Sequence, residues 1–117
     1  MWAAPDMDQE GGQMIIREWR GRAEPAKADA YPKHFRERVM AELRQVPGFV
    51  GAHLGRRQLD GKTEFLVLTR WQSMDAIRAF AGADVEAAVV EPGARAALVD
   101  FDARVRHYEV IEEVPQR

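Results

Sequence analysis

The apolar positions change period several times along the chain, and each change marks an element. Residues 14–20, MIIREWR, read as a strand: Ile15, Ile16 and Trp19 suit a pleated surface, and Gly21 closes it. Glu24-Pro25 opens a helix, because Pro is tolerated in a first turn whose N–H groups have no partner. Tyr31, Phe35, Val39, Leu43 and Val46 then recur at near-helical spacing as one apolar stripe. Pro32 falls inside that stripe and is expected to kink the helix or split it into a short and a long piece. Pro47-Gly48 stops it.

The period then shortens to two. FVGAHLGRR (49–57) and TEFLVLTRW (63–71) flank Leu59-Asp60-Gly61-Lys62, and Asp-Gly between two such runs predicts a hairpin, since both central residues of a type I′ turn need positive φ. In the second run Phe65, Val67, Thr69 and Trp71 point one way and Leu66, Leu68 and Arg70 the other. Both faces are largely apolar, which predicts a sheet covered on both sides. Ser73 caps a helix over 74–81 with Ile77 and Phe80 facing inward, and Gly82 ends it. A helical turn at 84–90, a helix from Pro92 to about Phe101 and a strand within ARVRHYEVIEEV (103–114) complete the pattern. On that strand Val105, His107, Glu109 and Ile111 share one face, and Arg106, Tyr108 and Val110 the other.

The order is βαββαβ, a ferredoxin-like α+β antiparallel sheet with helices on one face. One layer of helices leaves the second face bare, and the cheapest cover is another copy of the same sheet. Patterning alone thus predicts a homodimer through the β-sheet. Residues 14–114 form the domain, residues 1–13 a flexible N-terminal tail and 115–117 a C-terminal tail.

Composition narrows the chemistry. At 117 residues, 46% hydrophobic and 31% charged, the chain has the balance of one globular domain. A net charge of −2 gives a nucleic-acid partner no electrostatic support. The absence of Cys excludes thiol nucleophiles, disulfides and Cys-based metal sites. No uncharged run reaches the length of a membrane span and no secretory signal opens the chain, so the expected location is cytoplasmic, with no membrane partner.

Several of these segments together resemble the antibiotic biosynthesis monooxygenase family. They are Pro-Gly-Phe (47–49), Glu-Phe-x(5)-Trp-x-Ser (64–73) leading into a helix with Ala76 and Phe80, Ala-Phe-Ala-Gly-x-Asp (79–84) and the closing His-Tyr-Glu-Val (107–110). The resemblance covers about residues 14–113 and implies the dimeric α+β barrel. It also implies an oxygenase fold whose known catalytic sets do not carry over. Aligned on Trp71-x-Ser73, the Asn, Trp and axial His of the haem-degrading branch fall near Arg17 or Glu18, at Phe80 and at Val90, and none matches. The quinone-forming branch uses an Asn, and this chain has none.

Oxygenation without a cofactor asks for an aromatic wall, one base and one oxyanion stabiliser in a site that excludes water. Candidate walls are Trp71, Phe80, Trp19 and Tyr108; Trp71 and Trp19 read equally as core aromatics. Candidate bases are His107, which also reads as a half-buried residue at the dimer seam, and His53. His34 is read as a surface residue. Arg17 and Arg20 are the candidate anion stabilisers, with ion pairs to Glu18 or Glu109 as the structural alternative. The three His lack the spacing of a metal site, and no metal or other cofactor is expected. The expected function is a cofactor-independent monooxygenase-like enzyme acting on a small aromatic or polyketide-like compound. The alternative is a non-catalytic homodimer that binds a small molecule or assists another protein.

Overall fold

The computed structural model describes residues 14–115; the expected N-terminal tail and the last two residues of the C-terminal tail lie outside them. Strand β1 (Ile15–Ala23) is followed by a 3-10 turn (Pro25–Lys27) and a continuous helical rod made of α1 (Ala30–His34), a π-helical segment (Phe35–Val39) and α2 (Met40–Leu43). Then come β2 (Phe49–Leu59), β3 (Lys62–Trp71), α3 (Met74–Ala81), α4 (Pro92–Ala97), β4 (Asp100–Phe101) and β5 (Arg106–Glu109). The sheet order is β2-β3-β1, with β4 and β5 both pairing antiparallel along the far edge of β1. This is the expected ferredoxin-like α+β architecture. No helix among the described residues is long and apolar enough to cross a membrane.

The hairpin forms as its turn residues require: Asp60 has φ 51° and Gly61 φ 76°, both positive as in a type I′ turn. Ser73 Oγ accepts from the Ala76 N–H at 3.1 Å and so caps α3. Five boundaries differ from the sequence reading. β1 runs through Gly21, whose backbone pairs with Phe65 on one side and Phe101 on the other. Pro32 sits in the first turn of the rod, where its missing N–H is harmless, so the break falls before it at residues 28–29. Residues 84–90 are no helix: a turn is followed by an extended stretch in which Ala87 bridges Arg104. The helix from Pro92 ends at Ala97, because Leu98 turns extended and the Val99 N–H already bonds the Arg22 carbonyl. The closing strand shortens to β5, and a separate β4 stands at residues 100–101 where helix was expected, since residues 103–105 leave β1 to bond the 86–88 segment.

Odd-numbered residues of β1 and β3 face the helices. Two apolar clusters form there, one around Tyr31, Phe35, Phe65, Val67 and Leu98, the other around Ile15, Leu43, Trp71 and Ile77. Along the β1–β3 ladder the Ile15–Trp71 pair belongs to one cluster and Gly21–Phe65 lies beside the other. Trp19–Val67 is the edge of that second cluster, and Arg17–Thr69 is the pair between the two. That interval is where the cleft opens.

Candidate functional site

Arg17 and Trp19 from β1, and Val67 and Thr69 from β3, form the floor of a half-open cleft with about 80 Å³ of free space. Tyr31, His34, Val39 and Glu42 from the helical rod make one wall. Phe80 and Val105 close one side, and Val89, Val90, Glu91 and Ala94 the other.

Arg17 is 5% exposed, and among the described residues no carboxylate lies within ion-pairing reach of it. Its Nη1 donates to the Val85 carbonyl at 2.6 Å and its Nη2 to the Ala87 carbonyl at 3.0 Å. Nη1 also lies 3.0 Å from His107 Nε2. A guanidinium only donates, so His107 accepts there and carries its own proton on Nδ1. Three of the five guanidinium N–H groups are thereby used, and the two others have no protein acceptor among the described residues. The Phe80 ring centroid is 5.7 Å from the guanidinium carbon, within cation–π range. Burial pushes the Arg17 pKa down to about 10. The group is still charged at neutral pH, held by dipoles and a ring rather than by a counter-charge. Burial, and then the Arg17 charge, also lower the His107 pKa, against a smaller opposing pull from Glu86.

The other expected residues separate. Phe80 and Trp19 line the cleft; Trp19 is fixed by donating Nε1–H to the Asp102 carbonyl at 2.8 Å. Trp71 is fully buried among Phe49 and Phe80, with its indole N–H on Thr69 Oγ1 at 2.8 Å, and it is not among the lining residues. Arg20 points to the opposite face of the sheet and pairs with Glu18 at 2.9 Å. His53 lies opposite Leu68 on that same far face and is exposed, with β3 and β1 between it and His107. Tyr108, next to His107 on β5, is also on the far side and 48% exposed.

The reading of His34 as a surface residue is overturned. Its side chain is 11% exposed, lines the cleft, and has a buried Nε2 without a hydrogen-bond partner, 3.7 Å from Glu91 Oε1. His34 follows Tyr31 by three residues on α1, so the two rings share one side of the rod, 6.0 Å apart, and the i, i+3 spacing from Tyr31 was the signal that its charged neighbours Lys33 and Arg36 obscured. Glu42 and Glu91 were also missed: their carboxyls sit together, and that contact holds the Glu42 pKa above the usual carboxylate range. No local signal announces this pair, because it joins α2 to the residue preceding α4. Among the described residues there is no cluster of three or more His, Asp or Glu placed to hold a metal ion.

The family model described as "Antibiotic biosynthesis monooxygenase" matches residues 13–92. Among solved structures, a Bacillus cereus protein named an antibiotic biosynthesis monooxygenase is similar at 16% identity with a TM-score of 0.65, covering 90% of this chain and 100% of that one. A cofactor-independent oxygenase from Streptomyces nogalater is similar at 19% identity and TM-score 0.58, over 90% of this chain and 99% of that one. A heme-degrading protein of Mycobacterium tuberculosis is similar at 24% identity and TM-score 0.58, over the same shares of 90% and 99%. At these identities the likeness concerns the fold. No curated protein matches the sequence.

Proposed function

From the premise that the chain belongs to the antibiotic biosynthesis monooxygenase family, which the match over residues 13–92 establishes, we propose that its cleft binds a small aromatic phenol or enol as the anion and that the protein acts on it as a monooxygenase-like enzyme needing no added cofactor. The observation that carries this reading is Arg17. A buried guanidinium without a carboxylate, with two free N–H groups at the floor of an aromatic-lined cleft, is built to receive an oxyanion.

The chemistry asked of the site is modest. An aromatic carrying an activated CH₂ loses a proton, and the resulting anion gives an electron to O₂. Recombination and reprotonation yield a hydroperoxide, which loses water to leave a carbonyl. One oxygen atom ends in the product and the other in water. Arg17 stabilises the anion before O₂ arrives, while Phe80 and Trp19 hold the ring and keep bulk water out. His107 holds Arg17 in place: its Nε2 lone pair is engaged by the guanidinium, so it is a positioning residue in this arrangement. The Streptomyces nogalater oxygenase supports the reading through its shared fold. The position aligned with the haem-branch axial His is Val90, a cleft-lining side chain with no lone pair to offer.

The small free volume favours a second reading, a non-catalytic binding protein of the same fold. Oxygen uptake by the purified protein across a panel of anthrones, naphthols and hydroquinones separates the two. Uptake above the spontaneous rate that vanishes in Arg17→Met supports the enzyme; uptake unchanged by that substitution sinks the assignment of the site.

We further infer a homodimer of residues 14–114 through the far face of the sheet. Ile16, Leu66 and Leu68 are only partly covered there, and Arg70 has a buried Nε with no acceptor in its own chain among the described residues. A facing copy covers the first three and offers the last an acceptor.

A further inference from the structure

The oxygenase reading leaves one role unfilled, since the anion that Arg17 receives must first lose its proton and His107 has its lone pair in use. We propose that His34 is the proton acceptor of the cleft, with Glu91 beside it to receive the imidazolium charge and Glu42 holding Glu91 in place.

The geometry is specific. His34 lines the cleft wall and its Nε2, covered in this arrangement, has no hydrogen-bond partner among the described residues, so a small turn of the ring toward an incoming O–H or acidic C–H offers a nitrogen that no protein donor has taken. The ring is held from behind by the backbone of α4, where a Cβ at Gly93 would come within 2.7 Å of Nδ1. Tyr31 packs beside it with ring centroids 6.0 Å apart. When Nε2 takes the proton, Glu91 Oε1 is already 3.7 Å away, one small rotation from a charged hydrogen bond.

The charges around His34 set its starting state. Burial lowers its pKa first, and Arg38 on the same rod lowers it further; Glu42 opposes both. From the facing segment Glu91 is the charged neighbour, and Tyr31 stays protonated because burial, and then Glu91, raise its pKa. The His34 imidazole is therefore neutral at pH 7. In the transfer, the substrate's O–H or C–H bond breaks, an N–H bond forms on Nε2, and the electron pair remains on the substrate.

This inference rests on the monooxygenase reading for its role but not for its test. The full chain, ¹⁵N-labelled at histidine, is titrated at pH 7 with 2-naphthol under nitrogen. The expected result is a shift of His34 from neutral imidazole toward imidazolium, accompanied by the naphtholate absorption band. Glu91→Gln should reduce both, and His34→Gln should abolish the band. Imidazole shifts at His34 that do not respond to 2-naphthol overturn the proposal, as does a band of full strength in His34→Gln. The wild-type titration decides the matter even where the variant fails to fold. Oxygen uptake then distinguishes the two failures. Uptake in His34→Gln equal to wild type leaves the enzyme and removes His34, while a responding His34 with no uptake leaves the acceptor and removes the enzyme. With both correct, His34→Gln loses about 10²-fold in kcat/KM, the usual worth of a general base.

Discussion

Arg17 Nη1 and His107 Nε2 lie 3.0 Å apart because the two residues are directly opposite each other in the β1–β5 ladder, on its helix-covered face. The imidazole does for Arg17 what a carboxylate does for most buried arginines, yet it leaves the positive charge uncancelled. That difference makes the site receptive to an anion.

Arg17→Met is expected to abolish oxyanion binding and to lower kcat/KM for a phenolic substrate by about 10²–10³-fold, the worth of one well-placed oxyanion donor. The fold should survive, since an apolar side chain of similar length replaces a buried charge that has no counter-charge. Thermal unfolding checks the second statement and oxygen uptake the first. A melting point that collapses would mean that the guanidinium's carbonyl contacts are structural.

His107→Ala and His107→Gln should differ. The Gln amide oxygen can still accept from Arg17, so Gln keeps most of the activity while Ala raises KM more than it lowers kcat. Equal loss in both, expressed in kcat alone, would point instead to direct proton transfer by His107.

Trp71→Ala is expected to cost about 3–5 kcal/mol of stability, the usual toll for emptying a fully buried aromatic site. Trp71→Phe should cost less and leave cleft binding intact, because the indole packs behind the lining. Denaturant melts and 2-naphthol titration read the two effects separately.

Stability should depend on pH below neutrality. The folded pKa values of His34 and His107 are both held below the ordinary 6.5, burial being the larger cause in each. The unfolded chain therefore binds these protons more readily. Their contribution is fully present above 6.5, is lost as pH falls from there through the lowered folded values, and is constant below them. Glu42, raised by its contact with Glu91, works in the opposite sense between its raised value and the ordinary 4.5: there the fold favours protonation, so acidification helps. Unfolding midpoints between pH 7.5 and 4 should thus fall and then flatten, and the fall should shrink in a His34→Gln, His107→Gln double variant.

Leu68→Glu tests the dimer. The side chain lies on the far face, opposite His53, and does not line the cleft. Sedimentation should show a dimer in the wild type and a monomer in the variant; a wild-type monomer at micromolar concentration would refute the pairing.

Much of the fold was legible because it is written in local chemistry. Asp60-Gly61 fixes a turn that few other pairs allow, Ser73 caps α3 through its own hydroxyl, and the alternation from Phe65 to Trp71 sorts β3 into its two faces. Strand parity also separates Arg17 from Arg20, since residues three apart on a pleat point to opposite faces. Parity does not say which face the helices cover, and so which arginine is buried.

The sequence by itself determined the βαββαβ backbone of the fold, the division of β3 into two alternating faces and the family to which the chain belongs. The structure alone decided the cleft. His34 enters it because α4 packs its Gly93 against the ring, a long-range contact that the pattern around residue 34 does not declare. Glu91 reaches Glu42 and His34 only when α4 docks against α1. Arg17 lacks a carboxylate because Glu18 and Glu109, its nearest candidates in sequence or register, are committed to the other face or exposed at the edge. Local propensities act over a few residues along the chain, whereas the cleft's charge balance is a sum over side chains brought together by packing from β1, β5, the rod and the 85–91 segment. That sum exists only in three dimensions.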